Sequence, residues 1–265
     1  MTKNIIKILF LGDIVGKPGR GAVKHFLPIL KDQEKIDLCF ANGENLTHGS
    51  GMSYEKYDEV IQAGVDYFTS GNHIWAREEF ALRLDDKNIK VLRPANYPPS
   101  SNGRGSVEIE YQDQKILLIN LAGQVFMADE VKNPFLAADE IIKKNKNSII
   151  IIDFHAEATS EKVALGLYLD GRVGAVIGTH THIQTADDKI LSAGTAYITD
   201  TGMCGPTDSV LGVEKEIIIE KFLTGLPKAH KVASGDSIFQ GVIIEIDAET
   251  KKATCIKRIS EIYKQ

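Results

Sequence analysis

The sequence predicts an α/β fold, and three observations carry that expectation. Short apolar, β-branched runs at residues 5–11, 148–153 and 173–177 read as strands buried on both faces, the kind found in parallel sheets with helices over them. Stretches with helical spacing of apolar residues follow several of these runs. The runs also end in turns that hold Gly, Asn, Asp, Glu or His. No internal repeat, low-complexity tract or long linker divides the 265 residues, so a single domain spanning 1–265 is expected.

The elements follow in order. Residues 5–11 form a first strand ended by Gly12-Asp13-Ile14-Val15-Gly16, and a helix starts near Pro18 with Val23, Phe26, Leu27 and Leu30 facing inward. Pro28 inside that pattern predicts a kink or an early break. Residues 37–41 are a second strand leading into Asn42-Gly43-Glu44-Asn45, 53–63 a helix, and 65–69 a third strand ending in Ser70-Gly71-Asn72-His73. A helix over 77–86 and a short strand over 89–92 precede the proline-rich loop 93–99. Beyond Gly105 the pattern turns to a hairpin, 106–111 with 115–121, then a helix over 134–144 and a strand over 148–153 that delivers Phe154-His155. Residues 160–169 read as helix, 173–177 as the strand before Gly178-Thr179-His180-Thr181-His182, and 195–199 as a strand ending in Asp200-Thr201-Gly202. A helix over 213–223 and a hairpin of 239–246 with 253–259 close the chain.

Composition excludes several classes. A net charge of -5 is not that of a protein that coats nucleic acid, so any polyanion must be met by a local site. Cys39, Cys204 and Cys255 are too few and too scattered for a disulfide framework or a C-x-x-C metal knuckle. The first apolar run is too short for a membrane span, and Gly12-Asp13 stands where a signal peptide would need a cleavage site. A cytoplasmic protein with no membrane partner is expected.

In open parallel sheets, ligands gather beyond the carboxyl ends of the strands. Here those ends carry Asp13, Glu44 with Asn45, Asn72 with His73, His155, and His180 with His182. Oxygen and nitrogen donors without thiolate disfavour a structural zinc knuckle and suit iron, manganese or zinc in a catalytic site. The donors exceed what one ion needs and point to two ions sharing a bridging carboxylate.

These strand ends, with Gly12-Asp13-Ile14-Val15-Gly16, Asn42-Gly43-Glu44-Asn45, Gly71-Asn72-His73 and Thr179-His180-Thr181-His182-Ile183-Gln184-Thr185-Ala186-Asp187 in that order, resemble the calcineurin-like metallophosphoesterases and, more narrowly, their bacterial YmdB-like subgroup. The resemblance implies a four-layer αββα sandwich and hydrolysis of small phosphodiesters, with 2',3'-cyclic nucleotides the favoured class and RNA ends and a homo-oligomer as further expectations. Val15 stands where most of the superfamily has a histidine, and Glu44 where most have a bridging aspartate. Carried over residue by residue, the resemblance implies Asp13, Glu44, Asn45 and His182 around one ion and Glu44, Asn72, His155 and His180 around the second, with His73 as general acid. The amide oxygen of Asn45 in place of an imidazole favours iron or manganese over zinc.

Simpler readings compete at single positions. Asp13 alone is a favoured helix cap, and Asn72-His73 alone a turn. His25 and His230 read as solvated, His48 as structural with a substrate role as the alternative, and Cys204 as a loop thiol. The segment 12–17 falls one residue short of a P-loop, and Pro18 stands where that motif needs Ser or Thr, although Lys17 or Arg20 remains placed to meet a phosphate at the helix start. A phosphomonoesterase or RNA nuclease on the same site, and a metal-binding scaffold without essential catalysis, are the rival functions.

Overall fold

The computed structural model describes residues 4–264. Strand β1 (Ile5–Ile14) leads into helix α1 (Gly16–Gln33), followed by β2 (Leu38–Asn42), α2 (Tyr54–Gln62), β3 (Tyr67–Thr69), a 3-10 turn (Asn72–Trp75) and the short α3 (Glu78–Ala81). Next come β4 (Ser106–Tyr111), β5 (Gln114–Ala122), α4 (Pro134–Lys144), β6 (Ile149–His155), α5 (Thr159–Tyr168) and β7 (Ala175–Thr179). The chain finishes with β8 (Lys189–Ile190), β9 (Ala196–Ile198), β10 (Met203–Pro206), α6 (Lys215–Thr224), β11 (Ser237–Asp247) and β12 (Ala253–Tyr263).

The strands form two six-stranded sheets, one ordered β12-β11-β10-β1-β2-β3 and the other β4-β5-β6-β7-β9-β8. In the first, β1, β2 and β3 run parallel; in the second, β5, β6, β7 and β9 do. Side-chain alternation explains how one run of sequence serves two cores. Ile8 and Phe10 of β1 point between the sheets, where they join Phe40, Leu118, Ile151 and Ile177, whereas Leu9 and Leu11 join Val23 and Leu27 of α1 and Val60 of α2 on the outer face. In the second sheet, Leu117, Ile119, Ile150 and Ile152 pack outward with Ala138 and Ile142 of α4 and Leu165 of α5. The layers are therefore helix, sheet, sheet, helix, the expected αββα sandwich, and unbroken apolar runs such as 149–152 follow from burial on both faces.

The structure corrects several boundaries. Strand β1 does not stop at Leu11 but continues to Ile14, because Asp13 and Ile14 pair in parallel with Met203 and Cys204 of β10. The Met-Cys-Gly-Pro sequence of that partner has no strand signature and predicts only a loop. Helix α1 runs through Pro28 without a break. Pro28 and Lys24 are both exposed, so the backbone carbonyl that loses its partner faces solvent. The helix expected over 77–86 shortens to α3, and the strand expected over 89–92 reduces to a single bridge of Val91 with Phe68. No helix of the described residues is long and apolar enough to cross a membrane.

Phe10, wholly buried between the sheets and edge-on to Phe40 at 6.4 Å, tests this core. Phe10→Ala is expected to lower the unfolding free energy by about 3–5 kcal/mol. Urea denaturation followed by far-UV circular dichroism checks it: the midpoint falls while the slope stays that of the wild type.

Candidate metal centre

The parallel strands of both sheets deliver their carboxyl ends to one place. Asp13 lies near the end of β1, Glu44 and Asn45 just past β2, and Asn72 and His73 in the 3-10 turn past β3. From the facing sheet, His155 is the last residue of β6, and His180 and His182 follow β7. The two sheets are stitched together here: the His180 amide donates to Asp13 Oδ2 at 3.1 Å, and Asn42 Nδ2 donates to Asp153 Oδ2 at 3.3 Å. Close approach demands glycine at position 71, where a Cβ would lie 2.1 Å from the His155 ring and 2.5 Å from Glu44 Oε2.

Glu44 is the hub. It is 1% exposed, with Oε1 3.3 Å from His155 Nε2 and 3.5 Å from His73 Nδ1, and Oε2 accepts from the His73 amide at 3.0 Å. On one side of it stand Asp13, whose Oδ1 is 3.6 Å from His182 Nε2, and Asn45, whose Nδ2 is 3.2 Å from that same nitrogen. On the other side His155 Nε2 and His180 Nδ1 face each other at 3.0 Å. The ligand atoms of Glu44, His155 and His180 all lie within 4.8 Å of one another, a group able to hold a metal ion.

Hydrogen bonds on the outer nitrogens fix which inner nitrogen is free to donate. His182 Nδ1 lies 2.9 Å from the Leu211 carbonyl, which can only accept, so Nδ1 carries a proton and Nε2 is the nitrogen that faces Asp13. His180 Nε2 lies 3.0 Å from Glu157 Oε2, which leaves Nδ1 turned toward His155. Beneath His155, Thr179 Oγ1 sits 2.9 Å from Nδ1 and donates to Asp153 Oδ1 at 2.7 Å, so it accepts from Nδ1–H.

The electrostatics ask for positive charge. Burial works to raise Glu44 and Asp13, but the imidazoles of His155 and His73 around the first and of His182 around the second hold both carboxyls below their ordinary range. Burial alone would depress His155, yet Glu44 and Asp13 drive it up to about 9. His180, partly buried and beside that imidazolium, falls to about 4 and stays a neutral ring. A cation in this cluster would replace the proton that His155 Nε2 presents to His180.

Two further atoms fit the same account. Asp13 Oδ1 and Asn72 Oδ1 are buried and accept no hydrogen bond from the described residues. Buried acceptors without partners are rare, and of the three among the described residues, Asp13 Oδ1, Asn72 Oδ1 and Asn120 Oδ1, two stand at the strand ends the sequence singled out. The donor set is carboxylate, amide and imidazole, which suits a divalent cation. Asn45 departs from the expectation in one respect. Its Nδ2 faces Glu44 and His182 while Oδ1 accepts from His73 Nδ1 at 2.8 Å, so ligation through oxygen needs the amide turned over.

A family model described as YmdB-like protein matches residues 9–259. The chain belongs to that family. A protein of Bacillus subtilis named 2',3'-cyclic-nucleotide 2'-phosphodiesterase is 48% identical over 256 residues, 96% of this chain and 96% of the relative. The crystal structure of a Mycoplasma pneumoniae protein described as a novel phosphatase is 39% identical and aligns with a TM-score of 0.94, covering 100% of this chain and 96% of that one. At 16% identity, a putative 5'-nucleotidase from Staphylococcus aureus shares the fold, with a TM-score of 0.61 over 98% of this chain and 54% of its own. The sandwich is thus of the metallophosphoesterase type.

In this YmdB-like chain the ring of donors rests on groups that carry no signal of that role in the local sequence. The loop bearing His180 and His182 is pinned from below: Lys162 Nζ donates to the Thr179 carbonyl at 2.7 Å and to Asp200 Oδ2 at 2.8 Å, and Asp200 Oδ2 also accepts from Thr181 N and Oγ1. Thr181 therefore points down while the flanking histidines point into the cluster, both with positive φ, 97° at His180 and 62° at His182. A lysine in a helix gave no sign that it would be 1% exposed against a strand end. Asp200 was visible as a strand-end carboxylate, and its role is to hold the loop.

Other candidates separate. Arg20 is buried and committed to Glu59 at 2.8 Å and the Leu46 carbonyl at 2.6 Å, so it does not face a substrate. Cys204 is not a loop thiol but a buried residue of β10 whose acidity burial pushes up to about 12, far from a nucleophile. His25 is exposed and lies against Tyr263 with ring centroids 4.9 Å apart. His230 is exposed, as expected, and together with His48 it also lines the cavity over the cluster, a place the sequence offered as the alternative for His48 and did not foretell for His230.

Lys162→Met is expected to cost about 3–5 kcal/mol, because it leaves Asp200 charged and buried without its cation. Chemical denaturation measures the loss. Adding Asp200→Asn to that variant is expected to recover part of it, the non-additivity showing that the two side chains act as a pair.

Proposed function

We propose that the chain hydrolyses 2',3'-cyclic nucleotides at a dinuclear metal centre, opening the bond between phosphorus and O2' and leaving a 3'-phosphate. That it is a phosphodiesterase rests on its family and on the 48% identity to the Bacillus subtilis enzyme, whose name supplies the cyclic-nucleotide substrate. The observation that carries the metal reading is the set of inward-facing nitrogens. His155, His180 and His182 each bind an acceptor on the outer nitrogen; the other nitrogen of His155 faces Glu44, that of His182 faces Asp13, and that of His180 faces His155 beside Glu44.

In this reading Asp13, Glu44, Asn45 and His182 hold one ion, and Glu44, Asn72, His155 and His180 hold the other. The pair of ions supplies charge for the phosphoryl oxygens and lowers the pKa of the attacking water. The oxygen-rich first set favours iron or manganese over zinc.

His73 moves the proton at the leaving group. Its ring opens onto the cavity, with a side chain 43% exposed, and its Nδ1 is held by Asn45. Turning the Asn45 amide so that its oxygen enters the cluster places Nδ2 against His73 Nδ1. The neutral ring then carries its proton on Nε2, the nitrogen left to meet O2'. One amide rotation thus couples ligation to the acid's tautomer. The enzyme works in the cytoplasm, where its cysteines, all free thiols, stay reduced.

The test is hydrolysis of 2',3'-cyclic nucleotides by protein loaded with iron or manganese, with elemental analysis alongside. About two ions per chain and a 3'-phosphate product are expected. Glu44→Gln lowers kcat about 10²–10³-fold and sheds metal, and His73→Ala lowers it about 10²–10⁴-fold with metal content kept. Turnover by both variants at the wild-type rate sinks the reading. His180→Ala and His182→Ala are each expected to lose one ion before the other, and simultaneous loss of both ions from the outset counts against the shared Glu44 bridge.

A further inference from the structure

The cavity over the cluster does not end at the metal donors. It measures about 450 Å³, with Glu44, Asn45, His73, His180 and His182 on one side and an apolar wall of Val210, Leu211, Val213, Ile218 and Phe222 on the other. Past His48, His230 and Val232, which belong to both, it meets a second cleft of about 450 Å³ that adds Lys17, Pro18 and Lys231. Each space lies within the roughly 300–1,000 Å³ of small-molecule sites.

The second cleft has the chemistry of an anion site. No carboxylate of the described residues lines it. Lys17 is exposed and forms no ion pair among the described residues, whereas Lys231 shares its charge with Glu214 at 2.7 Å. His48 is presented by a built loop: Arg77 donates to the carbonyls of Thr47 and Ser50 and reaches His48 Nδ1 at 3.4 Å. A guanidinium only donates, so the neutral His48 ring carries its proton on Nε2 and offers it as a donor. Val232, on the shared edge, is wedged against the backbone of Gly16 and Gly49, where a Cβ would come within 2.9 Å and 2.8 Å of its methyls. In a protein of net charge -5, a cleft lined by lysine and imidazole is a local reversal of sign.

We propose that this cleft holds a phosphate on the 5' side of the nucleotide whose cyclic phosphate reacts, bound by Lys17 and the imidazoles of His48 and His230. The inference rests on the proposed phosphodiesterase reading and specifies its substrate class: nucleotides that carry a 5'-phosphate, either free or as the next phosphodiester of an RNA chain ending in a 2',3'-cyclic phosphate. The two phosphates of such a nucleotide flank one ribose. Two cavities meeting at a common edge reproduce that order, with the apolar wall beside the reacting end open to the base.

Equilibrium binding to the manganese-loaded protein separates the possibilities, with adenosine 3'-phosphate, adenosine 3',5'-bisphosphate and a diadenosine carrying a 3'-phosphate as probes. The bisphosphate is expected to bind about tenfold more tightly than the monophosphate, and the gain to shrink with added salt. Equal gain for the dinucleotide assigns the cleft to an RNA chain, and gain for the bisphosphate alone assigns it to a free 5'-phosphate. Lys17→Ala and His230→Ala each reduce the ratio of the two affinities, and Lys17→Arg keeps it. Equal affinity for all three probes, or a ratio unmoved in both alanine variants, overturns the proposal. Hydrolysis of a 5'-hydroxyl cyclic nucleotide is independent of this ratio: turnover with equal affinities overturns the cleft alone, and binding without turnover overturns the hydrolase reading alone.

Discussion

A carboxylate kept ionised in a place that excludes water is the constraint around which this protein is arranged. Glu44 is 1% exposed, and an unpaired buried charge costs far more than the fold can spare. The protein answers with imidazoles on one side, His155 and His73, and a second carboxylate, Asp13, compensated by His182 on the other. Charge that protons supply to the histidines in the absence of metal is charge that cations supply when bound. Elevation of His155 and depression of His180 are two faces of one demand, since two adjacent rings cannot both carry the proton that the carboxylates call for.

The sandwich is what makes such a cluster possible. Each sheet alone brings some of the donors: Asp13, Glu44, Asn45 and Asn72 lie at or just past strand ends of the first, His155, His180 and His182 at or just past those of the second. Oxygen donors come from one sheet and nitrogen donors from the other, so the candidate metal centre sits on the seam. The apolar layer of Phe10, Phe40, Leu118 and Ile177 sets the distance across that seam, and the bond from the His180 amide to Asp13 closes it. The geometry of the cluster is therefore coupled to core packing, and a void between the sheets would be felt at the donors before the fold was lost.

Much of this was legible in the sequence, and the boundary of what was legible has physical causes. Runs buried on both faces announce themselves by β-branched residues without alternation, which is why β1, β6 and β7 and the residues at their ends could be placed from the sequence. Strand β10 could not, because Met203-Cys204-Gly205-Pro206 owes its conformation to pairing with Asp13 and Ile14 and with Gly205 and Pro206's partners on β11 rather than to its own propensity. Lys162 looked like any helical lysine, and its burial depends on a carboxylate 38 positions away. His48 and His230 lie far apart in sequence and carry no common pattern. Only the fold of the loops after β2 and α6 brings them to one rim.

The H-x-H sequence after β7 shows how little spacing alone decides. Two imidazoles one residue apart suggest a chelate on a single ion, yet here the residue between them does the sorting. Thr181 binds Asp200 below the loop through both its amide and its hydroxyl, and Lys162 holds the preceding carbonyl. The backbone passes through positive φ at both histidines, so their rings leave it in different directions. His180 turns to His155 and Glu157, and His182 to Asp13, Asn45 and the Leu211 carbonyl. The strain of two non-glycine residues in the left-handed region is offset by a buried ion pair beneath them, and that exchange converts a local repeat into two separately oriented donors on either side of Glu44.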